Sequence, residues 1–222
     1  MKQISLLSLL FSVLILCGAQ ATAKDYDWKL VKDQDGIKLY KSDSPEVEFK
    51  TYKAITEINQ PMEALLEVML DIPAYPQWMT GSREASVVKM ISPDRLDGNM
   101  LLYVVWDALW PFNNRDLVMK VSTVTDWDNN RVIVWLQNAQ DPLVPLKDGL
   151  VRIAYFSAQF EFAYIDRENT RVSYMNTIDP GGVVTPGVAT IQTANVPFNT
   201  LKGLAKQAQD PKYLQLAKED FF

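Results

Sequence analysis

The chain has 222 residues, 48% of them hydrophobic and 11% aromatic, with a formal net charge of −5. That is apolar mass for one domain with a full core, and the acidic balance speaks against a nucleic-acid partner. There is no histidine and a single cysteine, Cys17, which excludes serine–histidine and cysteine–histidine catalysis and histidine metal sites.

Residues 1–23 read as a signal peptide. Lys2 supplies a positive start, residues 4–16 are apolar, and Ala19-Gln20-Ala21 and Ala21-Thr22-Ala23 are both small-x-small cleavage sites. The apolar stretch is short for a span of ~20 residues. An uncleaved anchor and a lipidated Cys17 are the alternatives, and Leu16 departs from the small residue expected before a lipidated cysteine. The sequence therefore predicts a signal over 1–23, one domain over 24–222, and export to the periplasm or the extracellular space. Cleavage removes Lys2, takes the net charge from −5 to −6, and leaves a chain without cysteine. Such a domain stands on its core rather than on disulfides.

Strands are expected over 37–41 and 47–58, with Asp43-Ser44-Pro45 as the turn between them. A helix is expected over 61–70, with Pro61 at its start and Leu65, Leu66, Met69 and Leu70 on one side. Residues 72–79 form either a second short helix or a loop carrying Tyr75 and Trp78. Six strand candidates follow, over 85–91, 99–106, 116–125, 131–138, 151–165 and 171–177, with polar turns at 126–130 and 166–169. Sequential strands on short turns predict an antiparallel sheet. After Asp179-Pro-Gly-Gly the period changes, and Leu201, Leu204, Ala205 and Ala208 recur at helical spacing. Pro197 should interrupt or kink any helix before it. Pro211 opens a tail with Tyr213, Leu216 and Ala217 at helical spacing.

Two strands carry the chemistry. In 116–125, Leu117, Met119 and Val121 share one face, and Arg115 falls in register with them. A cation on an inward face needs a buried acid or an anionic ligand. Asp116 has the opposite parity, which assigns it a structural role. In 151–165 the even positions are Arg152, Ala154, Phe156, Ala158, Phe160 and Phe162. This face is apolar apart from Arg152, and its small–large alternation leaves volume for other side chains or a ligand. Arg152 is either a ligand contact, an ion-pair partner, or a strand-end side chain reaching water. Trp135 and Tyr174 either cage a quaternary ammonium or pack in the core. Trp78 and Trp106 read as packing residues. No acid pair is placed as general acid and base, and no glycine-rich phosphate loop appears. The expectation is a binding protein without enzymatic activity, cofactor or metal.

Four motifs occur in order: Asp27-Trp28 with residues 35–40, Trp110-Pro-Phe with Asn114-Arg115-Asp116, Asp179-Pro-Gly-Gly, and Pro197-Phe-Asn-Thr-Leu201. Over residues 25–208 the chain resembles the START family, the StAR-related lipid-transfer domains. The resemblance implies an α+β helix-grip fold (START/Bet v1-like), a curved antiparallel β-sheet wrapped around a long C-terminal helix with an internal hydrophobic tunnel. It implies binding and transfer of a single amphipathic lipid, phospholipid favoured, by a monomer in transient contact with membranes. A sterol, a fatty acid, another hydrophobic small molecule, or a cavity enzyme of related fold are the alternatives. By the same resemblance Arg115 contacts a lipid phosphate and Trp110 lies beside the headgroup. Phe156 matches an aromatic choline reader, but Ala158 stands where that family's phosphatidylcholine binders have a glutamine, which puts phosphatidylcholine itself in question.

Overall fold

The computed structural model describes residues 26–94, 98–108 and 111–221. Its strands are β1 (Lys29–Gln34), β2 (Ile37–Asp43), β3 (Lys50–Ile58), β4 (Ser82–Met90), β5 (Met100–Trp106), β6 (Arg115–Asp126), β7 (Arg131–Asn138), β8 (Val151–Arg152), β9 (Tyr155–Tyr164) and β10 (Thr170–Asp179). The helices are α1 (Met62–Leu70), α2 (Tyr75–Trp78), α3 (Pro186–Thr193), α4 (Val196–Gln207) and α5 (Pro211–Phe221), with a 3-10 turn at Ile72–Ala74. One curved sheet runs β1-β2-β3-β10-β9-β7-β6-β5-β4, antiparallel at every step, and the two-residue β8 joins β6 in parallel.

Period-two alternation builds the concave face. Leu102 and Val104 of β5, Leu117 and Met119 of β6, Phe160 and Phe162 of β9, and Val172 and Tyr174 of β10 all point into one core. Helix α4 covers that face with Phe198, Leu201 and Leu204. A smaller apolar cluster of Tyr103, Val105 and Val118 lies on the convex face, with Ala139, Val144 and Leu150 packed on it.

Three features differ from the sequence expectation. The edge strand β1 was not expected: almost all of it is exposed and it pairs only with β2, so no buried alternation marks it. The strand expected over 151–165 is broken. Ile153 N–H reaches the Asp116 carbonyl (2.9 Å) and Ala154 N–H the Asp179 carbonyl (3.1 Å) between β8 and β9. Ile153 joins the concave core while Ala154 is exposed, so parity shifts by one residue at the break. Where the resemblance implies one long end helix there are three, divided near Pro197 and at Pro211 as those prolines predict. Helix α3 stops at Thr193, and Pro197 sits in the first turn of α4, where its missing N–H has no partner to lose. Helix α5 then docks on α1, with Tyr213 Oη donating to Asp71 Oδ2 at 2.9 Å.

Gly203 fixes how α4 meets α2. A Cβ there would stand 2.2 Å from the Trp78 carbonyl oxygen, so only glycine allows the approach.

Candidate functional site

Beneath α4 the concave face carries a layer of packed rings. Phe160 and Tyr174 stack with centroids 4.0 Å apart, Trp78 meets Phe160 edge-on at 6.2 Å, and Tyr75 meets Trp78 at 5.1 Å. Toward the start of β6, Trp106 lies 5.3 Å from Phe156. Two of the cavities among the described residues lie at the ends of this layer. A cavity of about 300 Å³ lies under α1, walled by Met62, Leu66, Leu70, Met100, Val121 and Val134. A cavity of about 110 Å³ lies under α3, walled by Thr80, Trp106, Arg115, Ile178, Gln192 and Val196 among others. They flank opposite ends of β6 and share no wall residue.

Arg115 opens β6 opposite Trp106, the last residue of β5. It points to the concave side and is 5% exposed. Its Nε donates to the Pro180 carbonyl at 3.3 Å, its Nη1 to the Asn113 carbonyl, and its guanidinium carbon stands 5.8 Å from the Phe112 ring centre. Among the described residues no carboxylate forms an ion pair with it. Burial in this setting pushes its pKa down from the usual arginine value. The Arg115 motif and the Asp179-Pro-Gly-Gly motif, 65 residues apart, therefore meet in one hydrogen bond. Gly181 makes that turn possible. Its φ is +68°, it donates to Asp179 Oδ1 at 2.9 Å, and a Cβ would lie 2.8 Å from the Arg152 carbonyl.

Arg152 is placed differently, as a correction to its expected ligand role. The parity shift turns it to the convex side, where Nε and Nη2 grip Asp116 at 2.8 and 2.9 Å. The Asp116 side chain is 1% exposed, and Asp116 holds the Arg152 pKa up. Trp135 also lies off the concave face: Val134 and Leu136 on either side of it point inward, so it faces outward. Trp135 and Tyr174 thus stand on opposite faces and cannot form one cage. Tyr174 is buried in the ring layer, its hydroxyl accepts from Asn176 Nδ2 at 3.3 Å, and burial raises its pKa to about 12. Phe156 and Ala158 are 2% and 1% exposed and face inward, as their parity predicts. Trp110 lies outside the described residues. Sequence reading missed the exposure of Trp106 to the Arg115 cavity. Its even parity beside Val104 was the available signal, but cross-strand register is not visible in a sequence.

This curved sheet gripped by a covering helix, with a buried cation at one end, defines a helix-grip domain of the kind that holds hydrophobic ligands. The START domain family matches residues 17–197, and the chain belongs to that family. It is 27% identical over 192 residues to an uncharacterised protein of Pseudomonas aeruginosa, covering 86% of this chain and 92% of that one. Among solved structures it is similar to the STAR-related lipid transfer protein of Xanthomonas axonopodis (fragment 25–204). That pair shares 25% identity and a TM-score of 0.72, over 82% of this chain and 99% of the other. It is also similar to human STARD10, at 18% identity and a TM-score of 0.73, over 87% of this chain and 78% of the other.

Proposed function

We propose that this protein binds one phospholipid molecule and carries it between membranes, with the anionic head at Arg115 and the acyl chains entering beneath α4 by parting the ring layer that separates the Arg115 cavity from the one under α1. One observation carries the reading: a guanidinium 5% exposed, at a cavity wall, bonded only to carbonyls and to no carboxylate among the described residues. A buried cation without a counter-ion is costly, and a phosphate supplies the missing charge in a geometry that suits the guanidinium fork. Affinity comes from the chains, at ~25 cal/mol per Å² of buried apolar surface. Because Trp135 faces outward and Ala158 offers no hydrogen bond, choline selectivity is not part of this function. The protein acts as an exported monomer and a carrier rather than an enzyme. It touches membranes through Val183 and Ile191, which are 91% and 73% exposed and lie in the segment whose Pro180, Gln192 and Thr193 wall the Arg115 cavity.

Arg115→Met tests the head position. Its affinity for anionic phospholipid, titrated with short-chain phosphatidylglycerol, should fall by ~1.5–3 kcal/mol, the range of a charged hydrogen bond. Affinity for diacylglycerol should change much less. Equal losses for both lipids would remove Arg115 from the head site.

A further inference from the structure

Ser82, Trp106 and Arg115 form a single row across three strands. Ser82 of β4 is the register partner of Trp106 of β5, and Trp106 is the partner of Arg115 of β6. Their exposures are 8%, 8% and 5%. Trp106 Nε1 and Ser82 Oγ are buried without a hydrogen-bond partner among the described residues. Buried polar groups are paired in the great majority of cases, so two adjacent unpaired groups beside an unpaired cation call for an outside partner. An indole N–H can only donate, and a guanidinium can only donate. Trp106 and Arg115 wall the cavity under α3, with Ser82 next to Trp106 in the row; Asp107, a carboxylate on that wall, already accepts from Arg83 Nη1 at 3.0 Å and Asn114 Nδ2 at 3.2 Å. The row therefore suits acceptors, in two kinds. At Arg115 the acceptor is an anion. At Trp106 and Ser82, about 5 and 10 Å along the row at the usual strand spacing, nothing calls for further charge.

We propose that Trp106 and Ser82 hold a neutral carbonyl oxygen of the ligand, so that the ligand is an ester-linked phospholipid rather than a sterol, a free fatty acid or an ether lipid. This rests on the placement of the anionic head at Arg115. The ester carbonyls of a glycerophospholipid lie a few bonds from its phosphate, as the row requires. An ether lipid keeps phosphate and chains but lacks these oxygens.

The experiment is calorimetric titration of the mature protein with dihexanoyl phosphatidic acid and with its di-O-hexyl ether counterpart. The wild type should bind the ester about tenfold more tightly, the scale of one or two buried hydrogen bonds. Trp106→Phe keeps a ring against Phe156 and removes the N–H; Ser82→Ala removes the hydroxyl. Each should cut the ester-to-ether ratio, and the double variant should bring it close to one. Arg115→Met should weaken both lipids by the same factor. Equal binding of ester and ether by the wild type overturns the proposal, as does a ratio that survives in the double variant. Should the double variant fail to fold, the wild-type ratio decides alone. If Arg115→Met leaves both affinities unchanged, the head placement fails, and the ester-to-ether ratio still reports separately on Trp106 and Ser82.

Discussion

Arg115 and Arg152 look alike in the sequence, each a cation on the apolar parity of a strand. In the fold they do opposite things. Arg152 forms a two-pronged pair with Asp116, whose side chain is 1% exposed, while Arg115 donates to two carbonyls. Removing Arg152 strands a buried carboxylate, so Arg152→Met should destabilise the protein by ~3–5 kcal/mol. Arg115→Met strands no carboxylate among the described residues and should cost clearly less. Urea denaturation of the two variants side by side checks this. A similar loss for both would mean that Arg115 also serves an ion pair. The inward parity of Arg115 was legible, because β6 runs unbroken from it through Leu117, Met119 and Val121. The parity of Arg152 was not, because the break at residues 153–154 is made by hydrogen bonds to Asp116 and Asp179, distant in sequence.

At the scale of elements, the meeting of α4 with α2 sets how closely the covering helix approaches the sheet. Gly203 is the contact. Judged by helix propensity alone, Gly203→Ala should stabilise α4 by ~1 kcal/mol. The 2.2 Å approach of a Cβ to the Trp78 carbonyl predicts the reverse sign. The variant should lose ~1–3 kcal/mol through overpacking, seen as a lower melting temperature; a higher one would show that α4 can move off α2 freely. The period of α4 was plain from Leu201, Leu204, Ala205 and Ala208, and so was the interruption near Pro197. The close helix contact was hidden, since a glycine inside a helical pattern announces no partner. Strand β1 was hidden for a related reason: an edge strand with solvent on both faces has no alternation to read.

For the whole molecule we propose an exported carrier: residues 1–23 have the pattern of a cleavable leader, and Val183 and Ile191 are exposed apolar side chains. Among the described residues no helix is long and apolar enough to cross a membrane. The protein recovered outside the cytoplasm should begin near Thr22 or Lys24 by N-terminal sequencing. It should move phospholipid between vesicles, and Val183→Ser with Ile191→Ser should slow that transfer while leaving affinity for soluble short-chain lipid unchanged. An intact Met1 on cytoplasmic protein would remove the export step, and unchanged transfer would remove these residues from the membrane contact. The sequence by itself determined the antiparallel sheet, the helical segments after Asp179-Pro-Gly-Gly and the inward cation, because each is written in local periodicity and ordered motifs. Only the tertiary structure decided which arginine has no carboxylate partner among the described residues, that Trp135 turns outward, and that Ser82, Trp106 and Arg115 share a row. Those facts depend on register and on a strand break, which are set by hydrogen bonds between segments far apart in the chain.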